Sequence, residues 1–310
     1  MSHWIDVGED GRQFAYFRDA TFSFGIFMDD FVQMDGHALP LHWHPAAEFQ
    51  IVRRGRVRLR IRDEVMILSP GDCVFVNANT LHGAEQIGAA DAMAAVLSFT
   101  PALFTKDVQS TVYRKYFAPY FGREVFGFRI DPSEEGGAEA IRLIGQLAEL
   151  SDDGDGYELD AVGLMSALWK KTTRMIEART PGSGESGDRA WRQNETAKTL
   201  LTFVERNYGE PVTVDSLAAA AHLSRRECFR YFRRYTGRTP VEYVNDVRLA
   251  QAAHLLSTTA LSLSAVGLSC GFPTQSYFSR RFREKFGCTP SAYRIRRAET
   301  REESDFSQSV

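Results

Sequence analysis

Apolar and polar positions alternate strictly over Arg56–Arg62 (RVRLRIR). Val57, Leu59 and Ile61 therefore share one face of a half-buried antiparallel strand, with the arginines on the other. Asp63-Glu64 turns the chain into a second strand at 65–68 (VMIL), Ser69–Asp72 makes another turn, and CVFV resumes at 73–76. The aromatic run Thr21–Phe27 also reads as a strand. Short strands separated by turns predict an all-β sandwich or jelly roll. The arginine row reads as a solvated face and is given no nucleic-acid role, because its surroundings are acidic.

The period changes near residue 138. Ile141, Ile144 and Ala148 recur at helical spacing, and an Asp/Gly-rich loop follows at 151–156. Val162, Met165, Trp169, Thr172 and Ile176 then alternate spacings of three and four, a heptad-like stripe. Such a stripe serves either as intramolecular core or as the seam of a homodimer. The Gly/Ser-rich segment TPGSGESGDR reads as a linker. The expected organisation is a β domain over 1–137, a helical dimerisation or coupling region over 138–180, a linker over 181–190, a helical domain over 191–297 and a disordered polar tail over 298–310.

The helical domain repeats itself. At an offset of 50 residues, Arg230, Phe232, Arg233, Gly237, Thr239, Pro240 and Tyr243 match Arg280, Phe282, Arg283, Gly287, Thr289, Pro290 and Tyr293. In the first copy Thr213 can cap a helix bearing Leu217 and Ala218. Ser224 and Glu227 form a capping box for the next helix, which Gly237 ends and after which Pro240 opens another. Cys228, Phe232 and Tyr235 fall on the buried side, leaving Arg225, Arg226, Phe229, Arg230, Arg233 and Arg234 outward. In the second copy Thr274 can cap a helix with Phe278 and Phe282 inward and Gln275, Ser276, Ser279 and Arg280 outward. Arg281, Arg283 and Lys285 are placed for phosphates. Arginine matches the guanine edge and glutamine the adenine edge, so both outward faces suit a DNA major groove.

Charge sharpens this reading. The 310 residues carry a net charge of −3, yet residues 190–297 hold 17 Lys and Arg against 8 Asp and Glu. A basic block on an acidic chain points to a polyanion partner for that block alone. Hydrophobic residues at 44% and charged residues at 25% fit a globular protein of about two domains. No apolar run of membrane-spanning length and no secretory h-region occur. Cys73, Cys228, Cys270 and Cys288 lack CxxC spacing, so reduced thiols and a cytoplasmic location are expected.

A second constellation lies in the β domain. Gly36 is followed after five residues by His42-Trp43-His44, after three more by Glu48 and after six more by Gly55. Alternation puts His42 and His44 on one strand face. Glu48 can return to that face, and His82 can enter from a neighbouring strand. Three imidazoles and a carboxylate could hold a divalent metal ion such as Zn, Ni, Mn or Fe, or line a polar pocket. Trp43 and Phe24 offer rings on which a sugar face could stack.

Residues 196–297 resemble the DNA-binding domain of the AraC/XylS family of transcription regulators, on the stretch GFPTQSYFSRRFREKFGCTPSAYR and the RLAQAAHLLSTTALSLSAVGLSCGF leading into it. The resemblance implies two helix-turn-helix units reading successive major grooves of promoter DNA. By position it places base contacts on Arg226, Phe229, Arg230, Gln275, Ser276, Ser279 and Arg280. Pro273 and Gly267 depart from the family, which usually has a small polar residue and an alanine there. The spacing around His42 is similar to the first cupin motif. The second is partial: His82 holds its ligand position, while Asn77, Asn79 and Gln86 replace proline, glycine and asparagine.

The implied protein is a cupin sensor joined to a tandem helix-turn-helix domain. It would be a regulator, more often an activator working with RNA polymerase, that answers a small sugar-like effector as a homodimer. The alternative is a metal-dependent cupin enzyme fused to a DNA-binding domain.

Overall fold

The computed structural model describes residues 17, 21–121, 125–151, 154–180 and 185–296. It divides into two compact units that meet between Thr196 and Ala197. In the first, strands β1 (Phe24–Asp30), β2 (Ala38–His42), β3 (Ala47–Arg54), β4 (Val57–Ile61), β5 (Glu64–Leu68), β6 (Cys73–Val76), β7 (His82–Gln86), β8 (Met93–Phe99) and β9 (Gly127–Arg129) form two antiparallel sheets. One has the order β1-β8-β3-β6-β9 and the other β2-β7-β4-β5. The β1 strand runs three residues beyond the expected Phe27, to Asp30.

Pleat parity gives the five-stranded sheet two different faces. Ala47, Phe49, Ile51, Phe75, Leu97 and Phe99 lie on one, packed with buried residues of α2 (Gly137–Ala148) and α3 (Tyr157–Arg179). Val52, Val74, Val76 and Ala94 lie on the other and meet Val57, Leu59, Ile61 and Leu68 of the second sheet. A sheet covered on both sides reads as a continuous apolar run, which is why all of CVFV is buried.

The heptad-like stripe is spent inside this core. Met165, Trp169, Thr172 and Ile176 are all buried. The Trp169 ring stacks on Phe117, with centroids 5.5 Å apart, and its Nε1 donates to the Tyr116 carbonyl of α1 (Thr111–Tyr116) at 2.8 Å. The stripe therefore supplies no homodimer seam. It is period-matched to a sheet surface, and the aromatic side chains of the sheet fill it first.

Two further expectations are corrected. Arg62 does not join the solvated arginine row. It sits in the β4–β5 turn with φ 54°, buried, its guanidinium 3.9 Å from the Phe126 ring centroid. The expected linker over 181–190 is helical from residue 185, within α4 (Glu185–Asn207). Trp191 stacks on Phe126, Asn194 is fully buried, and Ala197, Leu200, Leu201 and Val204 continue a buried helical spacing. These anchored positions extend the helix back through the polar segment, so the unit boundary falls inside a helix.

In the second unit, α5 (Val214–Ala220), α6 (Arg225–Thr236), α7 (Pro240–Thr258), α8 (Leu263–Ser269) and α9 (Gln275–Phe286) follow the repeat. Ser224 with Glu227 and Thr239 with Glu242 close capping boxes, each cap contributing about 1 kcal/mol. Gly237 and Gly287 end α6 and α9 with φ 72° and 70°, where a side chain would be strained. Cys228, Phe232 and Tyr235 are buried as expected, as are Phe278 and Phe282. The expected tail over 298–310 lies outside the described residues.

Candidate effector pocket and DNA interface

Three imidazoles converge inside the barrel. His42 ends β2 and His82 opens β7, and the two are directly paired in the ladder. His44 follows β2. Their rings lie 4.2 to 5.5 Å apart between centroids, and one nitrogen of each lies within 4.8 Å of the others. Glu48 of β3 faces them from the opposite sheet. Its Oε1 is 2.9 Å from His44 Nε2, and its Oε2 is 3.5 Å from His82 Nε2. The expected quartet is thus brought together, with every member buried.

The backbone fixes how the rings are presented. Each Nδ1 faces a carbonyl oxygen: His42 that of Pro40 at 2.8 Å, His44 that of Ala46 at 3.0 Å, and His82 that of Thr80 at 2.8 Å. A carbonyl can only accept, so each Nδ1 carries a hydrogen and each Nε2 is the nitrogen left to face the cluster. His44 Nε2 and His82 Nε2 are buried without a hydrogen bond of acceptable geometry, despite the nearness of Glu48. Buried orphan nitrogens are costly, on the order of 1–3 kcal/mol each, unless a further group satisfies them.

Burial and charge set the protonation states. Burial lowers the His42 pKa well below the usual imidazole value, and His82 and His44 lower it further. Burial alone would also lower His44, but the Glu48 carboxylate outweighs it and the pKa rises. Burial would raise Glu48, whereas His44 and His82 hold it well below the usual carboxylate range. Glu48 is therefore held as the anion and His42 as the neutral ring, while His44 keeps its proton to higher pH than an ordinary imidazole.

The polar lining extends past the expected residues. Gln50 is buried and donates to Glu48 Oε2 at 2.9 Å. Ser98, directly paired with Glu48, has a buried Oγ with no partner. Asp29 on β1 is buried, and desolvation followed by the Glu48 charge pushes its pKa up to about 7. Gln50 was legible from alternation, two residues beyond Glu48 on one strand. Asp29 lay beyond the expected end of its strand, and Ser98 carried no motif signal. Trp43, between the two histidines, is buried. Phe24 is corrected: it pairs with Phe99, one residue out of parity with Glu48 and Ser98, and its ring packs near Phe22 and Tyr157 on the helix-covered face. It does not line this pocket.

In the second unit, Arg225, Arg226, Phe229, Arg230 and Arg233 are all exposed along α6. Arg225 reaches Asp215 at 3.3 Å, Arg230 Glu227 at 3.6 Å and Arg233 Glu242 at 3.9 Å. The glutamates that cap α6 and α7 thus also engage the arginines, while Arg226 has no ion pair among the described residues. Gln275, Ser276, Arg280 and Arg283 are exposed on α9, with Ser279 partly so, and Arg280 lies over the Tyr277 ring at 5.4 Å. Gly267 has a packing reason: a Cβ there would stand 3.1 Å from the Phe278 ring, so α8 and α9 sit closer than an alanine readily allows.

Residues 217–296 match the family model described as a helix-turn-helix domain, and residues 31–98 match that described as a cupin domain. The chain is similar to an uncharacterised HTH-type transcriptional regulator, YdeC, of Bacillus subtilis, at 27% identity over 83% of this chain and 86% of that one. It is also similar to the HTH-type transcriptional activator RhaS of Pectobacterium carotovorum, at 26% identity over 83% and 88%. Among solved structures it resembles a transcriptional regulator with an AraC-type DNA-binding domain from Chromobacterium violaceum, at 35% identity over 34% of this chain and 93% of that one, TM-score 0.33. It also resembles the DNA-binding domain of AdpA, solved with a target DNA, at 32% identity over 34% and 96%, TM-score 0.33.

Fold and matches together define a transcription regulator with a helix-turn-helix DNA-binding domain and a cupin domain. A helix-turn-helix domain behind a cupin domain, with transcription regulators among the relatives, is the arrangement that the AraC/XylS resemblance implies.

Proposed function

We propose that this regulator binds promoter DNA through α6 and α9 and answers a small-molecule effector held in the barrel by His42, His44, Glu48 and His82. The observation that carries the reading is the convergence of three buried imidazoles on a buried carboxylate, with no hydrogen bond of good geometry at His44 Nε2 or His82 Nε2, where an all-β domain would otherwise place apolar core. Stability alone does not favour that arrangement, so a ligand is the natural partner. Gln50, Ser98 and Asp29 add donors and acceptors that suit a polyhydroxylated, sugar-like molecule. Activation is the favoured sign, in keeping with the activator RhaS among the relatives.

A divalent ion fits the three histidines, whose candidate ligand nitrogens lie within 4.8 Å of one another, with the Glu48 carboxylate beside His44 and His82. Such an ion would supply a positive charge to which effector oxygens could bind. His42, held neutral by burial, is ready to donate its lone pair, whereas His44 holds its proton to higher pH and must release it to bind an ion.

On DNA, Arg226, Phe229 and Arg230 of α6 and Gln275, Ser276, Ser279 and Arg280 of α9 are assigned to base edges. Arg225, Arg233 and Arg283 are assigned to phosphates. Phe229, an exposed ring at 39%, would contact thymine methyls.

The test is a His44→Ala, Glu48→Gln double variant in a transcription reporter strain, with DNA binding measured on the purified protein. It should fold and bind DNA as the wild type does, yet lose the effector response of transcription. A variant that responds normally would place sensing outside the quartet.

A further inference from the structure

The side chain of Asn194 is buried with 0% exposure, on a helix whose other buried positions are apolar apart from Lys198. Its Nδ2 donates to the Asn79 carbonyl at 3.1 Å, and its Oδ1 accepts from the Leu81 amide at 3.5 Å. The carboxamide therefore clips both sides of Thr80, whose own carbonyl accepts from His82 Nδ1 at 2.8 Å. One peptide turn is thus held by α4 on one side and orients a pocket imidazole on the other.

The turn is under constraint from several directions. Asn79 has φ 56°, a left-handed conformation that asparagine tolerates better than most side chains. The Asn79 amide donates to the His44 carbonyl at 2.8 Å, and the Leu81 carbonyl accepts from the Arg62 amide at 2.8 Å. Arg62 lies over Phe126, and Phe126 stacks on Trp191 of α4, one helical turn before Asn194. Two routes, a hydrogen-bonded clip and a stacked column, thus join the turn that bears His82 to the same stretch of α4. That helix runs without interruption to Asn207, and the second unit begins within it at Ala197.

We propose that Asn194 is the positioning residue through which the state of the imidazole cluster is felt by α4. Any movement of the Thr80–His82 segment, as when His82 Nε2 gains a ligand, must either carry Asn194 with it or break its two bonds. Conversely, a displacement of α4 changes the carbonyl that orients His82. The signalling role rests on the barrel being the effector pocket; the mechanical link does not.

The test is a double-mutant cycle on the full chain without added ligand: wild type, His82→Ala, Asn194→Ala and the double variant. It is read by hydrogen–deuterium exchange of the amides over 191–200, with α2 as an internal control. Each single change should speed exchange over 191–200 by roughly tenfold, and the double variant should be no faster than either, because both break one link. Exchange in α2 should not change, which separates loss of the link from general destabilisation. Additive effects, or an α4 indifferent to His82→Ala, would overturn the proposal. If Asn194→Ala does not fold, Asn194→Asp serves in its place: it keeps the acceptor for Leu81 and loses the donor to Asn79, so the same non-additivity is expected. Because no effector enters the cycle, its outcome is independent of the reporter assay on the quartet.

Discussion

His42 and His82 face each other across the β2–β7 ladder, their ring centroids 4.2 Å apart. Two imidazoles so placed turn their Nε2 atoms into one cluster, and Glu48 stands across from them. The pairing depends on a shift of register in that ladder between Leu39 and His42. A slip by a single residue would send one ring to the outer face.

This arrangement predicts a pH-dependent affinity for a divalent ion. The Glu48 charge raises the His44 pKa, so the ion must displace a proton. Zn²⁺ affinity should therefore rise with pH, weakening about tenfold for each pH step below the His44 pKa. Calorimetry in two buffers of different ionisation enthalpy should detect about one proton released per ion bound. His82→Ala should lower the affinity sharply. Equal affinity at pH 6 and pH 8 would remove His44 from the ligand set.

Asp29 gives stability its own pH dependence. Its folded pKa is raised to about 7, against about 3.9 for an unfolded aspartate. Between these values the folded chain holds a proton that the unfolded chain lacks. This group therefore makes stability fall as pH rises from about 4 to about 7 and contributes no further change above that. Asp29→Asn removes the effect and should stabilise the first unit at pH 8 by up to about 4 kcal/mol, much less at pH 4. Thermal melts of both proteins across that range check it; parallel curves would contradict it.

Trp169 is held by Phe75, Phe99, Phe117, Tyr120 and Phe121, and by its bond to Tyr116. Trp169→Ala should cost about 3–5 kcal/mol in chemical denaturation. Met165→Glu with Trp169→Glu should unfold the first unit. A folded, monodisperse double variant would mean that the stripe is not core.

Much of this was legible in the sequence because local rules govern it. The capping boxes at Ser224 and Thr239, the terminal glycines and the 50-residue repeat depend on neighbours within a few residues, and the structure follows them. Alternation pointed to the His42–His44 pair, although β2 ends at His42 and His44 is held just past it by the Ala46 carbonyl. What escaped depends on long-range packing. Phe24 missed the pocket by one step of pleat parity, which only the β1–β8 register decides. The stripe on α3 has the same spacing whether it meets a sheet or a second copy. Asn194 is an ordinary polar residue until a turn 115 positions away lies against it.

The most direct test of the central claim is capture of fragmented genomic DNA by the full chain at physiological salt, followed by sequencing, for the wild type, Arg226→Ala, Arg280→Ala and Arg283→Ala. Two recognition helices reading successive major grooves should enrich a small set of promoter fragments sharing two sequence blocks about one helical turn apart. Arg226→Ala should relax the preference within one block and Arg280→Ala within the other, each costing ~1–3 kcal/mol at its base pair. Arg283→Ala should lower capture of all fragments alike and flatten the salt dependence. Uniform capture by the wild type, or full discrimination by the Arg226 and Arg280 variants, would contradict the account.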